Sequence, residues 1–348
     1  MGRADKAVLR LATGLALAVL VAYGLALPMP FVVCLLAMML LCKPGPPIPL
    51  FKGVLMALLL GALVVVGVLM VPVLQYYALS GVALTGVVLY ALFFFGMSSG
   101  NPLTMIMVIA FTLVPVAGVA EQALVTVLGV ALAVGVLVGV VVNGVSHALF
   151  PDPQVAAGKA AKAPNAPNAT PVDRETASWI ALRATLIVLP VFALALSDPS
   201  FYLAAIMKTV ALAQQAGSAR AGSAGRELVG STLMGAWMAL LVWFGLSLWP
   251  NLWMLMLWIT GAALWSGARL YGLKATSFAP SFWSNALMTM LILLGPAIED
   301  SANGSGVLGA SVSRVVLFVG VSLYAWGTVW VMERWRASRS EAMFFRRG

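Results

Sequence analysis

The sequence predicts an all-α polytopic membrane protein of about twelve transmembrane helices, built as two parallel six-helix repeats. Three observations lead there. Hydrophobic residues make up 62% of the 348 residues and charged residues 9%, with a mean hydropathy of +1.03, whereas soluble domains carry about 25% charged residues. The apolar residues fall into twelve runs, six on each side of one polar stretch. Residues of the two sixes also align with each other at nearly constant offsets.

The first six runs lie near residues 8–27, 31–42, 51–74, 78–97, 103–119 and 122–148. Most approach the ~20 residues that cross a bilayer. The second is about a dozen residues long and stops at KPGPPIP, so it is expected to be tilted, re-entrant or extended by its flanks. The amino terminus, MGRADKAVLRLATG, has a basic start but no A-x-A cleavage pattern, and reads as a retained first helix. Residues 150–175 are rich in Pro, Ala and Asn and lack periodicity. They are expected to form a surface linker between the halves.

Six further runs follow near 176–196, 200–216, 226–248, 251–267, 281–298 and 306–331, before a charged tail at 333–348. Between the second and third of these, SARAGSAG is expected to form a small-residue turn. Across the halves, Arg10 pairs with Arg183, Phe31 with Phe201, Lys52 with Arg226, Gly61 with Gly235, Pro115 with Pro296 and Gly139 with Gly320, at offsets of 170 to 181. Offsets that change only across loops are what a duplicated unit gives. An even number of helices per unit makes the repeats parallel, with a substrate path at or between equivalent positions.

The net charge of +9 is spread singly over segment ends rather than gathered in a phosphate-binding patch, which argues against nucleic acid. Arg3, Lys6, Arg10, Lys43, Lys52, Lys159, Lys162, Arg174, Arg183, Arg220, Arg226, Arg269, Lys274 and the tail arginines all fall on the side shared by the termini. By the positive-inside rule that side, with both termini and the linker, is cytoplasmic. Glu121, Asp198, Glu299 and Asp300 fall on the other face. The tryptophans Trp243, Trp249, Trp253, Trp258, Trp265 and Trp283 read as an interfacial belt, with stacking on a substrate as the alternative. Cys34, Cys42 and the single His147 have no metal-ligand spacing around them and are read as structural. No cofactor, metal site or catalytic constellation is expected, so an enzyme is not.

Lys208 is the sharpest chemical signal. It lies inside an apolar run, about 12 Å along it, and a charge near mid-bilayer costs at least ~2.5 kcal/mol. Such a residue faces a protein interior or an aqueous path. Arg314 is the second basic residue left inside a run, with a structural pair to Glu299 or Asp300 as the alternative to function. In the first half Met38 stands at the place of Lys208 and Ala133 at that of Arg314, so the second half is expected to be the chemically active one. Gln214, Gln215, Asn285 and Trp283 are further candidates to line a passage, and Arg226 either steers anions inward or anchors its helix in headgroups. A fixed cation among apolar walls suits a small organic anion.

Tyr202 opening a helix, a polar residue at mid-helix and Arg226, Gly230, Thr232 and Gly235 spaced as R-x-x-x-G-x-T-x-x-G resemble the fusaric acid resistance and aromatic acid exporter family. More distantly they resemble the plant aluminium-activated malate channels. Arg314 followed by Gly320 is similar to the family's second arginine-glycine motif, which in those channels sits near the anion path. The resemblance implies an inner-membrane exporter of aromatic carboxylic acids working with a periplasmic membrane-fusion adaptor and an outer-membrane channel. Longer members carry a cytoplasmic domain after each six-helix unit, in place of which this chain has a linker of about 25 residues and a short tail. A passive organic-anion channel and a non-transporting scaffold subunit stay open as alternatives, as does assembly into a homo-oligomer. A major-facilitator transporter also has twelve helices, but the loop after helix two lacks that family's G-x-x-x-D-R-x-G-R-R type motif.

Overall fold

The computed structural model describes residues 2–42, 45–99, 103–151, 174–218, 221–302 and 307–345. Among them lie twelve α-helices and no strand. The first six are α1 (Arg3–Gly24), α2 (Pro30–Leu41), α3 (Leu50–Tyr76), α4 (Ala78–Ser99), α5 (Leu103–Ala120) and α6 (Gln122–Leu149). The second six are α7 (Arg174–Ala195), α8 (Pro199–Ser218), α9 (Ala221–Leu248), α10 (Leu252–Leu270), α11 (Pro280–Ala302) and α12 (Val307–Phe345). The all-α polytopic expectation holds. Most of the expected linker, residues 152–173, lies outside the described residues, as do Lys43 and Arg220.

Among the described residues, eight helices are long and apolar enough to cross a membrane. The short second run is α2, 12 residues from Pro30 to Leu41, buried at every position but the first. Pro30 starts it, and the proline-rich segment after Cys42 stops it. At ~1.5 Å per residue it covers about 18 Å, short of the ~30 Å hydrocarbon core. A helix apolar all round has no face for water, and this one is wrapped by α1, α6 and α11. The twelve expected helices are thus present among the described residues, and the short second run is an internal half-length helix rather than one extended by its flanks.

Two other boundaries differ from the sequence reading. The expected turn is helical from Ala221, because Gly225 brings the start of α9 against the Trp326 indole of α12. The charged tail continues α12 as far as Phe345. Its Glu, Arg, Ala and Met residues are good helix formers, Trp335 packs on Trp179 of α7, and Arg334 lies over Trp330 one turn back.

The packing graph carries the repeat. In the first half α1 packs on α2 and α6, α2 on α6, α3 on α4, α5 and α6, and α5 on α4 and α6. Adding six to every label gives pairs that also pack: α7 with α8 and α12, α8 with α12, α9 with α10, α11 and α12, and α11 with α10 and α12. The main contacts between the halves follow the same rule, α1 with α10 matching α7 with α4, and α5 with α8 matching α11 with α2. The ends of α2, α8 and α10 and the starts of α5 and α11 meet around one cavity, so equivalent helices run the same way and the repeats are parallel. Lys6 Nζ and Arg10 Nε donate to the carbonyls of Pro151 and Phe150, while Arg183 bonds Glu333 and the Ala216 carbonyl. The start of α1 and the later part of α12, at Glu333, thus lie at the same end of the bundle as that cavity.

In lipid, close packing rather than hydrophobicity joins helices, and small residues permit it. On α6 a Cβ at Gly139 would meet the Ala37 backbone of α2 at 3.1 Å. Gly320, its partner by sequence offset, has open space around it. The pair Gly61 and Gly235 is off by one residue in the same way, since Gly61 is exposed, Leu60 beside it is buried, and Gly235 is buried against α11. Pro115 and Pro296 sit inside the equivalent helices α5 and α11.

Candidate functional site

Lys208 stands at the middle of α8 and is fully buried. It is ten residues from Ser218, about 15 Å by helical rise. Its ammonium donates to Asn285 Oδ1 at 3.2 Å and to Thr289 Oγ1 at 2.7 Å. Asn285 and Thr289 share one face of α11 because they are four residues apart. Both partners are neutral, and among the described residues Lys208 forms no ion pair. An ammonium has three donors, so these two oxygens leave one for a further acceptor.

The network extends beyond the lysine. Lysine only donates, which fixes the Asn285 amide with Oδ1 toward Lys208 and Nδ2 toward Ser231 Oγ of α9, at 2.6 Å. Ser231 bonds the Leu228 carbonyl at 3.2 Å and lies 3.5 Å from Gln215 Oε1, and Gln215 Nε2 donates to the Glu227 carbonyl. Thr289 Oγ1 donates onward to the Asn285 carbonyl. Beside this chain Thr232 and Ser322 join α9 to α12 at 2.8 Å. Gly235 permits the approach: a Cβ there would meet the Ala286 carbonyl and Thr289 Cβ, each at 2.5 Å. Gly230, Thr232 and Gly235 are packing residues in this structure.

The network belongs to the second half alone. The offset of 170 sets Met38 against Lys208, and the offset of 181 shared by Pro115 and Pro296 sets Val108 against Thr289. Both are apolar and buried. The packing graph departs from its symmetry at the same place, since α8 also packs on α9 and α11. A single polar cluster thus draws α8, α9 and α11 together.

Next to the cluster is the cavity between the halves, of about 270 Å³, lined by Met38, Met39, Leu40, Cys42, Ile106, Gln214, Leu270, Pro280, Ser281, Ser284 and Met288. Gln214 lies six residues from Lys208, roughly 9 Å along α8. Ser284 and Met288 directly precede Asn285 and Thr289 in α11. Chain neighbours of both of the lysine's partners thus line the cavity, with serine hydroxyls and an amide among apolar walls.

Of the residues expected from sequence, Lys208 and Asn285 are joined, and Gln214 lines the adjoining cavity. Arg314 is elsewhere, bonded to Asp300 at 2.6 Å with both side chains largely buried. Arg314→Gln should therefore lower the unfolding free energy by about 1 kcal/mol and leave any transport intact; a thermal-shift measurement with flux in parallel checks both. Arg226 is exposed on the outside of the bundle with its guanidinium 5.3 Å over the Phe278 ring. Trp283 is buried, edge-on to Trp265 at 5.2 Å, with Arg269 over both rings. Trp265 and Trp283 thus pack in an aromatic cluster, whereas Trp249 and Trp253 are exposed.

Sequence reasoning missed Thr289 and Ser231, and it named Gln215 with Gln214 only as a residue to line a passage. Helical spacing separates the two glutamines, since Gln215 follows Lys208 by seven residues and shares its face, and Gln214 does not. It also left out Arg183, which was read as a loop charge. Arg183 is buried, and it bonds Glu333 of α12 at 2.7 Å and the end of α8. Its repeat partner Arg10 is buried too and reaches the end of α6.

No curated protein and no solved structure matches this chain. Residues 7–145, which cover nearly all of the first six-helix repeat and stop short of the lysine cluster, are similar to the family described as Protein of unknown function (DUF2955).

Proposed function

We propose that this protein moves small organic anions, aromatic carboxylates among them, across a bacterial inner membrane along a path between its two halves. The observation that carries the reading is Lys208, a buried cation with only neutral partners beside a cavity at the interface of the repeats. A carboxylate supplies the missing acceptor, and its desolvation is offset by the ammonium, while the methionine and leucine walls accept a ring. The resemblance to the fusaric acid resistance and aromatic acid exporters favours export, with a periplasmic adaptor and an outer-membrane channel as partners. Proteoliposomes loaded with labelled benzoate test the reading. Saturable release above protein-free vesicles is expected, and release equal to that of empty vesicles rejects it.

A second reading, a passive anion channel, is favoured by the neutral character of the Lys208 network, which has no carboxylate to carry a proton. Clamping voltage and pH gradient separately in the same vesicles decides between them. Flux that follows voltage alone marks a channel, and flux that needs the pH gradient marks a coupled exporter.

In this reading the end of the bundle with both termini faces the cytoplasm, as its arginines and lysines favour. Single cysteines at Ala163 and Ser301, in a background with Cys42→Ser, are expected to react with an impermeant maleimide from opposite sides. Reaction from the same side would remove the orientation.

A further inference from the structure

On the outside of the second half, a groove of about 670 Å³ runs between α9, α10 and the start of α11. Gly230, Met234, Trp265, Phe278 and Phe282 form its floor and walls. Leu233 and Trp237, each 51% exposed, form its outer rim, and in a membrane that exposure is to lipid. Arg226 closes the end nearest the start of α9. Among the described residues it has no ion-pair partner. Lys274, exposed in the connection that carries Phe278, adds a second cation at the same end of the bundle. From Arg226 to Trp237 the α9 face is eleven residues long, roughly 16 Å.

The groove is therefore amphiphilic, with positive charge at the interfacial end and an apolar trough running toward the bilayer centre. That is the charge and shape of an anionic phospholipid lying against the protein. Basic pockets between helices at this level recognise such headgroups. We propose that the groove holds one anionic phospholipid, its phosphate on Arg226 and one acyl chain along Gly230, Leu233 and Trp237. Arg226 stacks over Phe278, and this holds the guanidinium at the mouth. The first repeat offers a built-in comparison. In the register of the buried faces, Leu60 with Gly235, its equivalents of Arg226 and Trp237 are the exposed Phe51 and Ala62, with the exposed cation Lys52 one residue on.

The inference does not rest on the transport reading and is tested without flux. The purified full chain is exchanged into an equimolar mixture of phosphatidylglycerol and phosphatidylcholine, and the lipid it retains is counted by native mass spectrometry. One phosphatidylglycerol per chain is expected in preference to phosphatidylcholine. Arg226→Gln, at an exposed position, should lower that preference about five-fold, the factor for one basic residue at an anionic surface. Leu233→Trp, which fills the trough and keeps the charge, should release lipid of both kinds. Lys52→Gln should change nothing. Equal retention of the two lipids by the unaltered protein would overturn the proposal, as would an equal loss in Arg226→Gln and Lys52→Gln, which marks diffuse attraction to headgroups. A dimer that Leu233→Trp converts to monomer would make the groove a contact between copies and overturn it too.

Discussion

Lys208→Met is expected to abolish organic-anion flux while leaving the protein folded in the membrane. The loss should be a hundredfold or more, on the order of 3 kcal/mol for one charge-assisted hydrogen bond to cargo. Folding survives because methionine is what the first repeat carries at Met38, in an equally buried position. Asn285 keeps its bond to Ser231 and Thr289 its bond to the Asn285 carbonyl, so both lose the lysine as donor but only the Asn285 Oδ1 atom is left without another bond. That costs about 1–3 kcal/mol, against which the removal of a desolvated ammonium works in the other direction. Lys208→Arg should do less harm, since it keeps the charge, but a planar fork does not reproduce the two bonds of a point ammonium. Benzoate flux and the elution profile of the purified variant are measured together. Full flux in a normally folded Lys208→Met variant would reject the site.

Gly235→Ala is expected to destabilise the protein and to disrupt the support of Lys208 in one step. The added methyl would lie 2.5 Å from the Ala286 carbonyl and from Thr289 Cβ. Neither atom can swing aside, because one is backbone and the other is fixed to it. Helices α9 and α11 must then separate by most of an ångström, which stretches the Asn285 to Ser231 bond from 2.6 Å to beyond a useful length. Overpacking of this kind costs about 1–3 kcal/mol, and here it strikes the helix pair that carries the lysine's partners. A lowered melting midpoint together with lost flux is the expected result. Gly261→Ala is the matched control, an exposed glycine of α10 with open space around it, where alanine should stabilise by roughly 0.5–1 kcal/mol. An unchanged midpoint in Gly235→Ala would mean that α9 and α11 do not touch there.

Much of the candidate site was legible before any coordinates. A lysine in an apolar run is conspicuous because hydrocarbon tolerates it so poorly, and Lys208 does lie at the centre of a buried cluster. Asn285 was named for its position in the eleventh run, and it is one of the two atoms' worth of support the lysine has. Arg314 was equally conspicuous and lies elsewhere, since a carboxylate fourteen residues away was within reach of its long side chain. Arg183 went the opposite way, from an apparent loop charge to a buried anchor, because α12 runs on far enough to bring Glu333 back to it.

The sequence by itself determined the number of helices, their order, the duplication and the rarity of charge inside the runs. These follow from length and hydropathy, which a bilayer reads directly. Only the tertiary structure decided which side of each helix faces the protein. In water an apolar stripe would announce that face, but in lipid the inner and outer faces are both apolar. Helix α2 is apolar at every position and gives no sign that it is internal, and nothing in α9 says that Ser231 faces the cluster while Arg226 faces the bilayer. Rotation about the helix axis is fixed by close approach at positions such as Gly139 and Gly235 and by a few polar bonds, and those require both partners to be in place.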